Sequence, residues 1–192
     1  MNYNIILAGV GGQGSLSVSV VIARAAMAAG FLVKQSEVHG MAQRGGEVFA
    51  HLRISDKEIQ SPTVPEGDAD LILAFEPLEA LRYLAWLSAD RGTVVAATAP
   101  IRNIPNYPDI GAVLGEIEKL PRRRLVDADA IAKAAGSARS ANVVLVGAAA
   151  DLLPVPPEAI EREIAVLFAR KGEDVVRANL KAFADGRAHA AR

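Results

Sequence analysis

Ile5-Ile6-Leu7-Ala8 is an apolar run of strand length that breaks at once into glycines, Gly9-Val10-Gly11-Gly12-Gln13-Gly14. Beyond them Leu16, Val20, Ala23 and Met27 recur at spacings of three and four as far as Gly30, which predicts a helix over 13–29 with that stripe inward. Residues 31–37 turn from apolar to polar and predict a second strand, parallel to the first and reached by a right-handed crossover. Val48, Ala50, Leu52 and Ile54 alternate with Glu47, His51 and Arg53, the mark of a half-buried strand. Ser55-Asp56-Lys57 is a turn, so 58–61 are expected to pair back as the other arm of a hairpin. Residues 70–75 and 93–97 are almost wholly apolar, as central strands covered on both faces are, and 124–127 predict a shorter one.

Helical spacing returns between and after these strands. Leu78, Leu81, Leu84 and Ala85 share a face over 77–87, with Pro77 suited to a first turn. A short helix is expected over 112–120, and another that Asp127 or Asp129 caps and that ends near Gly136. Residues 142–153 are apolar all round, which predicts a helix that is buried or lies at an interface. Ile160, Ile164, Leu167 and Phe168 form a stripe over 158–171, stopped by Gly172; Val176, Leu180 and Phe183 repeat it over 173–185, with a frayed tail from 186 to 192. No linker divides the chain. The alternation predicts one domain over 1–192 with an α/β, Rossmann-like three-layer open sheet, mostly parallel, with a hairpin and with helices of 140–186 packed on it.

Composition narrows the class. Apolar residues are 51% and charged residues 22%, ordinary for a folded domain, and aromatics at 5% leave the core to Ala, Val, Leu and Ile. A net charge of −1 lacks the basic excess of a nucleic-acid binder, and Arg122-Arg123-Arg124 reads as a solvated rim. Without cysteine there is no disulfide and no Cys-ligated iron–sulfur cluster or zinc within the chain, as suits a reducing cytoplasm. The start has no basic leader region, and apolar stretches break well before the ~20 residues of a membrane span. A cytoplasmic protein without membrane attachment is expected.

Two glycine-rich stretches carry the candidate chemistry. Gly9-x-Gly11-x-x-Gly14 between a strand and a helix lets backbone approach a phosphate, while the helix start aims unpaired N–H groups at it. Glu37 stands 23 residues after Gly14, where the ribose-binding acid of a dinucleotide site belongs, so an NAD(P)- or nucleotide-binding protein is one reading. Against it stand Gln13, which such turns do not need, and the loop His39-Gly40-Met41-Ala42-Gln43-Arg44-Gly45-Gly46. There a histidine, a glutamine and a guanidinium fit for anions sit among glycines, on the sheet edge that the first turn shares. Glu76 and Glu79 read either as an acid/base pair or, more plainly, as carboxylates at a helix start with Glu79 pairing Arg82. His39, His51 and His189 are too scattered for a metal site, and no Ser–His–Asp set is legible. No catalytic residue is assigned to the chain.

The two stretches together resemble the gamma-type domain of 2-oxoacid:ferredoxin oxidoreductases, and among these the indolepyruvate-type enzymes, whose beta subunit is such a domain. Residues 70–75 leading into Glu76-Pro77-Leu78-Glu79-Ala80-Leu81-Arg82, and Asn142 opening an apolar helix, extend the resemblance over about 3–185. It implies a subunit for CoA-dependent oxidative decarboxylation of aryl 2-oxoacids. Thiamin diphosphate, magnesium and iron–sulfur clusters would sit on a larger alpha subunit, and ferredoxin would be reached through the complex. It also implies a coenzyme A phosphate or pantetheine at Gly11, Gly12, Gln13 and Gly14 with Arg44 assisting. A homodimer is allowed when the chain is isolated.

Overall fold

The computed structural model describes residues 1–39 and 45–190, of His39 the backbone alone. Strands β1 (Asn2–Val10), β2 (Leu32–His39), β3 (Glu47–Ser55), β4 (Leu71–Ala74), β5 (Thr93–Ala97) and β6 (Arg123–Val126) form one sheet in the order β2-β3-β1-β4-β5-β6. From β1 to β6 the pairing is parallel, whereas β3 runs antiparallel to both β1 and β2. The helices are α1 (Ser15–Ala28), α2 (Pro77–Arg82), α3 (Ile110–Glu118), α4 (Ala128–Ala134), α5 (Ala141–Ala149), α6 (Pro157–Phe168) and α7 (Glu173–Ala190).

The two-residue period of the strands sorts the core into two layers. Ile5, Leu7, Leu71, Leu73 and Val95 join Val18 and Ile22 of α1, Leu145 of α5, Ile160 of α6 and Phe183 of α7. Ile6, Ala8, Ile72, Ala74, Val94 and Ala96 meet Ala80, Tyr83 and Ile117 on the other face. The expected three-layer α/β fold with helices on both sides is what forms.

Several local expectations change. β2 points the same way as β1 but does not pair with it; β3 lies between them, in register from Asn2↔Ser55 to Val10↔Glu47. An interior strand must bury both of its faces, and β3 buries Val48, Ala50, Leu52 and Ile54 on one and His51 and Ser55 on the other, whereas β2 leaves Leu32 and Val38 exposed at the sheet edge. The hairpin is therefore β2–β3 rather than β3 with 58–61. Residues 58–61 form no strand, and Arg53 Nη1 donates to the carbonyls of Ser61 and Thr63 at 3.1 and 3.2 Å.

In α1 the buried face is Val18, Val21, Ile22, Ala25 and Ala26, while Val20 and Met27 of the expected stripe are exposed. A helix apolar nearly all round gives periodicity no basis for choosing its inner face. α2 stops at Arg82 and a separate 3₁₀ turn covers Leu84–Trp86. Arg122 and Arg124 are not a solvated rim: they donate to the carbonyls of Gly92 and Ala89 and of Ala148.

The C-terminal helices settle the remaining question of burial. Val143 to Ala150 are at most 1% exposed, apart from Gly147, and that glycine is buried too, so α5 is an internal helix under α7 rather than an interface. α7 runs through the segment expected to fray and reaches Ala190. The reason is a close helix crossing: a Cβ on Gly147 would lie 2.1 Å from the Phe183 carbonyl oxygen, and one on Gly186 2.1 Å from that of Val144. Gly186 anchors the last turns of α7.

Candidate functional site

At the amino-terminal sheet edge the polar groups close on one another. Asp70 accepts from the Asn4 N–H at 2.8 Å and pairs with Arg91, which also pairs with Asp68. The carboxyl edge is different. There a cavity of about 700 Å³ opens beside the ends of β1, β4, β5 and β6, where open α/β sheets take their ligands. One wall is Gly12, Gln13, Gly14 and Ser17; Phe75, Ala97 and Ile101 lie at the strand ends; Arg139, Ser140, Asn142, Phe168, Lys171 and Asn179 supply the far wall.

The glycine turn is held by its own glutamine. Gln13 Oε1 accepts from the Val10 N–H at 2.7 Å, and Gln13 Nε2 donates to the Phe75 carbonyl at 2.6 Å. One side chain thus joins the end of β1 to the end of β4. Gly9 is what gives it room, since a Cβ there would stand 2.8 Å from Gln13 Oε1. Gly14 makes room for Asn142, whose Nδ2 would be 2.6 Å from a Cβ and in fact donates to the Gly14 carbonyl at 3.2 Å. Gly12 and Gly14 both have positive φ, 105° and 75°, but nothing lies within 4 Å of a Cβ on Gly12. Gly12 is thus required by backbone conformation while facing open space. Past it, α1 presents first-turn N–H groups with no acidic residue beside them.

The second glycine stretch meets the first at its described end. Gly11 N donates to the Gly46 carbonyl at 2.8 Å and Gly45 N to that of Gly11 at 3.3 Å, while Asn103 Nδ2 donates to the Gly45 carbonyl at 2.8 Å. Gly40, Met41, Gln43 and Arg44 lie outside the described residues, as does the side chain of His39. Glu37 lies on β2, two strands from the glycine turn, and accepts from Gln35 Nε2. The strand beside β1, from which a dinucleotide site draws its ribose acid, is here the antiparallel β3. Among the described residues no three His, Asp or Glu side chains gather as metal ligands. His51 Nδ1 accepts from the Val64 N–H at 3.2 Å, and burial pulls its pKa down, so the ring is neutral.

Glu76 and Glu79 serve the structure around the cavity. Glu76, 1% exposed, caps α2 by accepting from the Glu79 N–H at 3.0 Å, and its other oxygen accepts from the Ile101 N–H and the Tyr107 hydroxyl. That fixes the 99–107 segment, whose Ile101 lines the cavity. Glu79 pairs with Arg82 at 3.2 Å, yet its Oε2 is buried without a partner among the described residues.

Burial pushes the Glu79 carboxyl up to about 7; Arg82 opposes this, and Glu47 and Glu76 add to it. With the folded value above the unfolded one, its contribution is fully present below about pH 4.5 and is lost as the pH rises through 7. Glu79→Gln should therefore match the wild type at pH 4.5 and exceed it by about 1–3 kcal/mol at pH 8, read from urea midpoints. Equal midpoints at pH 8 would show that the carboxylate is not strained there.

The far wall was missed in the sequence. Its signal is Gly136-Ser137-Ala138-Arg139-Ser140-Ala141-Asn142, a run of small and polar residues that delivers a helix start to the cavity. Only Asn142 stood out beforehand.

Comparison with known proteins agrees across nearly the whole chain. Indolepyruvate oxidoreductase subunit IorB of Archaeoglobus fulgidus is 41% identical, over 97% of this chain and 94% of that protein. Among solved structures, the gamma subunit of a keto/oxoacid ferredoxin oxidoreductase from Geobacter sulfurreducens superposes with a TM-score of 0.71 at 27% identity, covering 98% of each chain. The 2-oxoglutarate:ferredoxin oxidoreductase from Magnetococcus marinus, solved with 2-oxoglutarate, coenzyme A and succinyl-CoA bound, gives 0.77 at 25% identity. It covers 99% of this chain and only 31% of that longer one. The model of the pyruvate ferredoxin/flavodoxin oxidoreductase family matches residues 4–189, and with relatives and fold in accord over the same span, this chain belongs to that family.

Proposed function

We propose that the chain is the small subunit of an indolepyruvate (aryl 2-oxoacid) ferredoxin oxidoreductase and that its cavity receives the phosphates of coenzyme A. The carrying observation is its 41% identity, at nearly full length, to a subunit of an indolepyruvate oxidoreductase. The lack of cysteine supports a division of labour in which iron–sulfur clusters, and with them thiamin diphosphate and magnesium, sit on a larger partner subunit that reduces ferredoxin. Those groups supply decarboxylation and electron transfer when bound. The residues of this chain bind and orient: Gly12 and Gly14 admit the phosphate to backbone, α1 directs its N–H groups there, and Gln13 and Asn142 hold the turn in shape. The partly buried Leu81, Leu84, Trp86 and Leu87 offer the partner an apolar surface. Without the partner the same surface would support a homodimer. A cytoplasmic location fits this redox chemistry.

Mixing purified partner with this chain should restore CoA-dependent oxidation of indolepyruvate, with aryl 2-oxoacids preferred over pyruvate. Full CoA-dependent activity of the partner alone would overturn the proposal, and equal rates with pyruvate would overturn its substrate class.

A further inference from the structure

Two cationic side chains line the far wall of the cavity. Arg139 reaches it from the turn before α5 and Lys171 from the turn between α6 and α7. Arg139 has no hydrogen-bond or ion-pair partner among the described residues. The Lys171 ammonium stands 5.2 Å from the centre of the Phe168 ring, a contact that leaves its charge unneutralised. Asp129 is the acidic side chain in the lining, one against two.

Ser140 makes this wall more than a charged rim. It sits at the start of α5, lines the cavity and is 1% exposed, and its Oγ is buried with no partner among the described residues. Its neighbour does not satisfy it, because Asn142 spends its side chain on the Gly14 carbonyl and the Val143 N–H. An unpaired buried hydroxyl is costly to keep unless something fills its place. Here it accompanies a nine-residue helix start that carries no acidic residue in its first turn.

We infer that Arg139, Lys171, Ser140 and the start of α5 form a second anion position, which takes a phosphate monoester of the same ligand whose diphosphate lies at Gly12 to Ser17. A monoester near neutral pH carries roughly −1.5 to −2 charges, which two cations match and one does not. A guanidinium fork and a hydroxyl can each bind one of its oxygens. The inference rests on the coenzyme A reading: that molecule has both a diphosphate and a ribose 3′-phosphate, whereas NAD and FAD have the diphosphate alone. The second position makes the 3′-phosphate the group that the chain selects.

The test compares coenzyme A with dephospho-coenzyme A, which lacks only the 3′-phosphate, as acceptor in the reconstituted complex. Wild type should show a KM for coenzyme A at least tenfold lower than for the dephospho form. Arg139→Ala and Lys171→Ala should each raise the coenzyme A KM by roughly tenfold and leave the dephospho value nearly unchanged. Arg170→Ala, one residue from Lys171 but outside the cavity lining, should preserve the gap and so controls for general charge. Equal KM values in wild type, or a gap that survives both cavity variants, would overturn the second position while leaving the coenzyme A reading intact. If the complex needs no coenzyme A, both fail together.

Discussion

Gly186→Ala should lower the thermal midpoint by roughly 5–15 °C, a loss of about 2–4 kcal/mol for a domain of this size. On an exposed helix the same exchange stabilises by up to about 1 kcal/mol, because alanine loses less entropy than glycine. Here the new Cβ would sit 2.1 Å from the Val144 carbonyl oxygen, and the opposing Gly147 faces the Phe183 carbonyl at the same distance. Both obstacles are helix backbone, so α5 and α7 must separate by about 1 Å, and close-packed interiors do not absorb that locally. Gly147→Ala should cost a similar amount. The double variant should cost less than the sum, since one separation admits both methyl groups. Gly115→Ala in α3, where nothing lies within 4 Å of the added atom, is the control and should be neutral or stabilising. An unchanged midpoint for Gly186→Ala would mean that the two helices do not cross this closely. Because α5 carries Asn142 and α7 carries Asn179 on the cavity wall, the same variants should also weaken coenzyme A use in the complex.

Gln13→Glu should raise the KM for coenzyme A by about 10–100-fold in the reconstituted enzyme, with Gln13→Ala close behind. The amide serves two opposite needs at once, accepting from the Val10 N–H and donating to the Phe75 carbonyl. Glutamate keeps the acceptor but sets a carboxylate against the carbonyl, adding negative charge beside the intended phosphate. Alanine leaves a donor and an acceptor unpaired, at a stability cost of about 1–3 kcal/mol. The informative comparison is between midpoint and KM. A lowered midpoint with an unaltered KM in both variants would make the clamp purely structural and remove the glycine turn from the binding site.

The strand at 70–75, the glycine turn and the helix after it follow from local rules, because apolar runs, positive-φ glycines and helix spacing act within a few residues. Gln13 stood out as unlike a dinucleotide turn, and its position in the structure gives the reason: its side chain is occupied within the protein, with Gly9 small enough to admit it. Glu37 passed a spacing test and failed a topological one. Spacing counts residues along the chain, whereas the insertion of β3 beside β1 depends on which of two neighbouring strands can bury both its faces. Arg122 and Arg124 look like surface charge in a row of letters; only folding brings the carbonyls of Gly92, Ala89 and Ala148 to their guanidinium groups.

Residue pattern alone was enough for the α/β class, the strand, glycine turn and helix that open the chain, and the lack of any cysteine to hold a cluster, since each rests on local geometry or on composition. The tertiary structure decided the order of the strands, the inner face of α1, the burial of α5 and the wall of the cavity. Arg139, Ser140 and Lys171 stand more than a hundred residues from the glycine turn, and what joins them to it is the packing of α5 and α7 through two glycines whose partners no local rule can name.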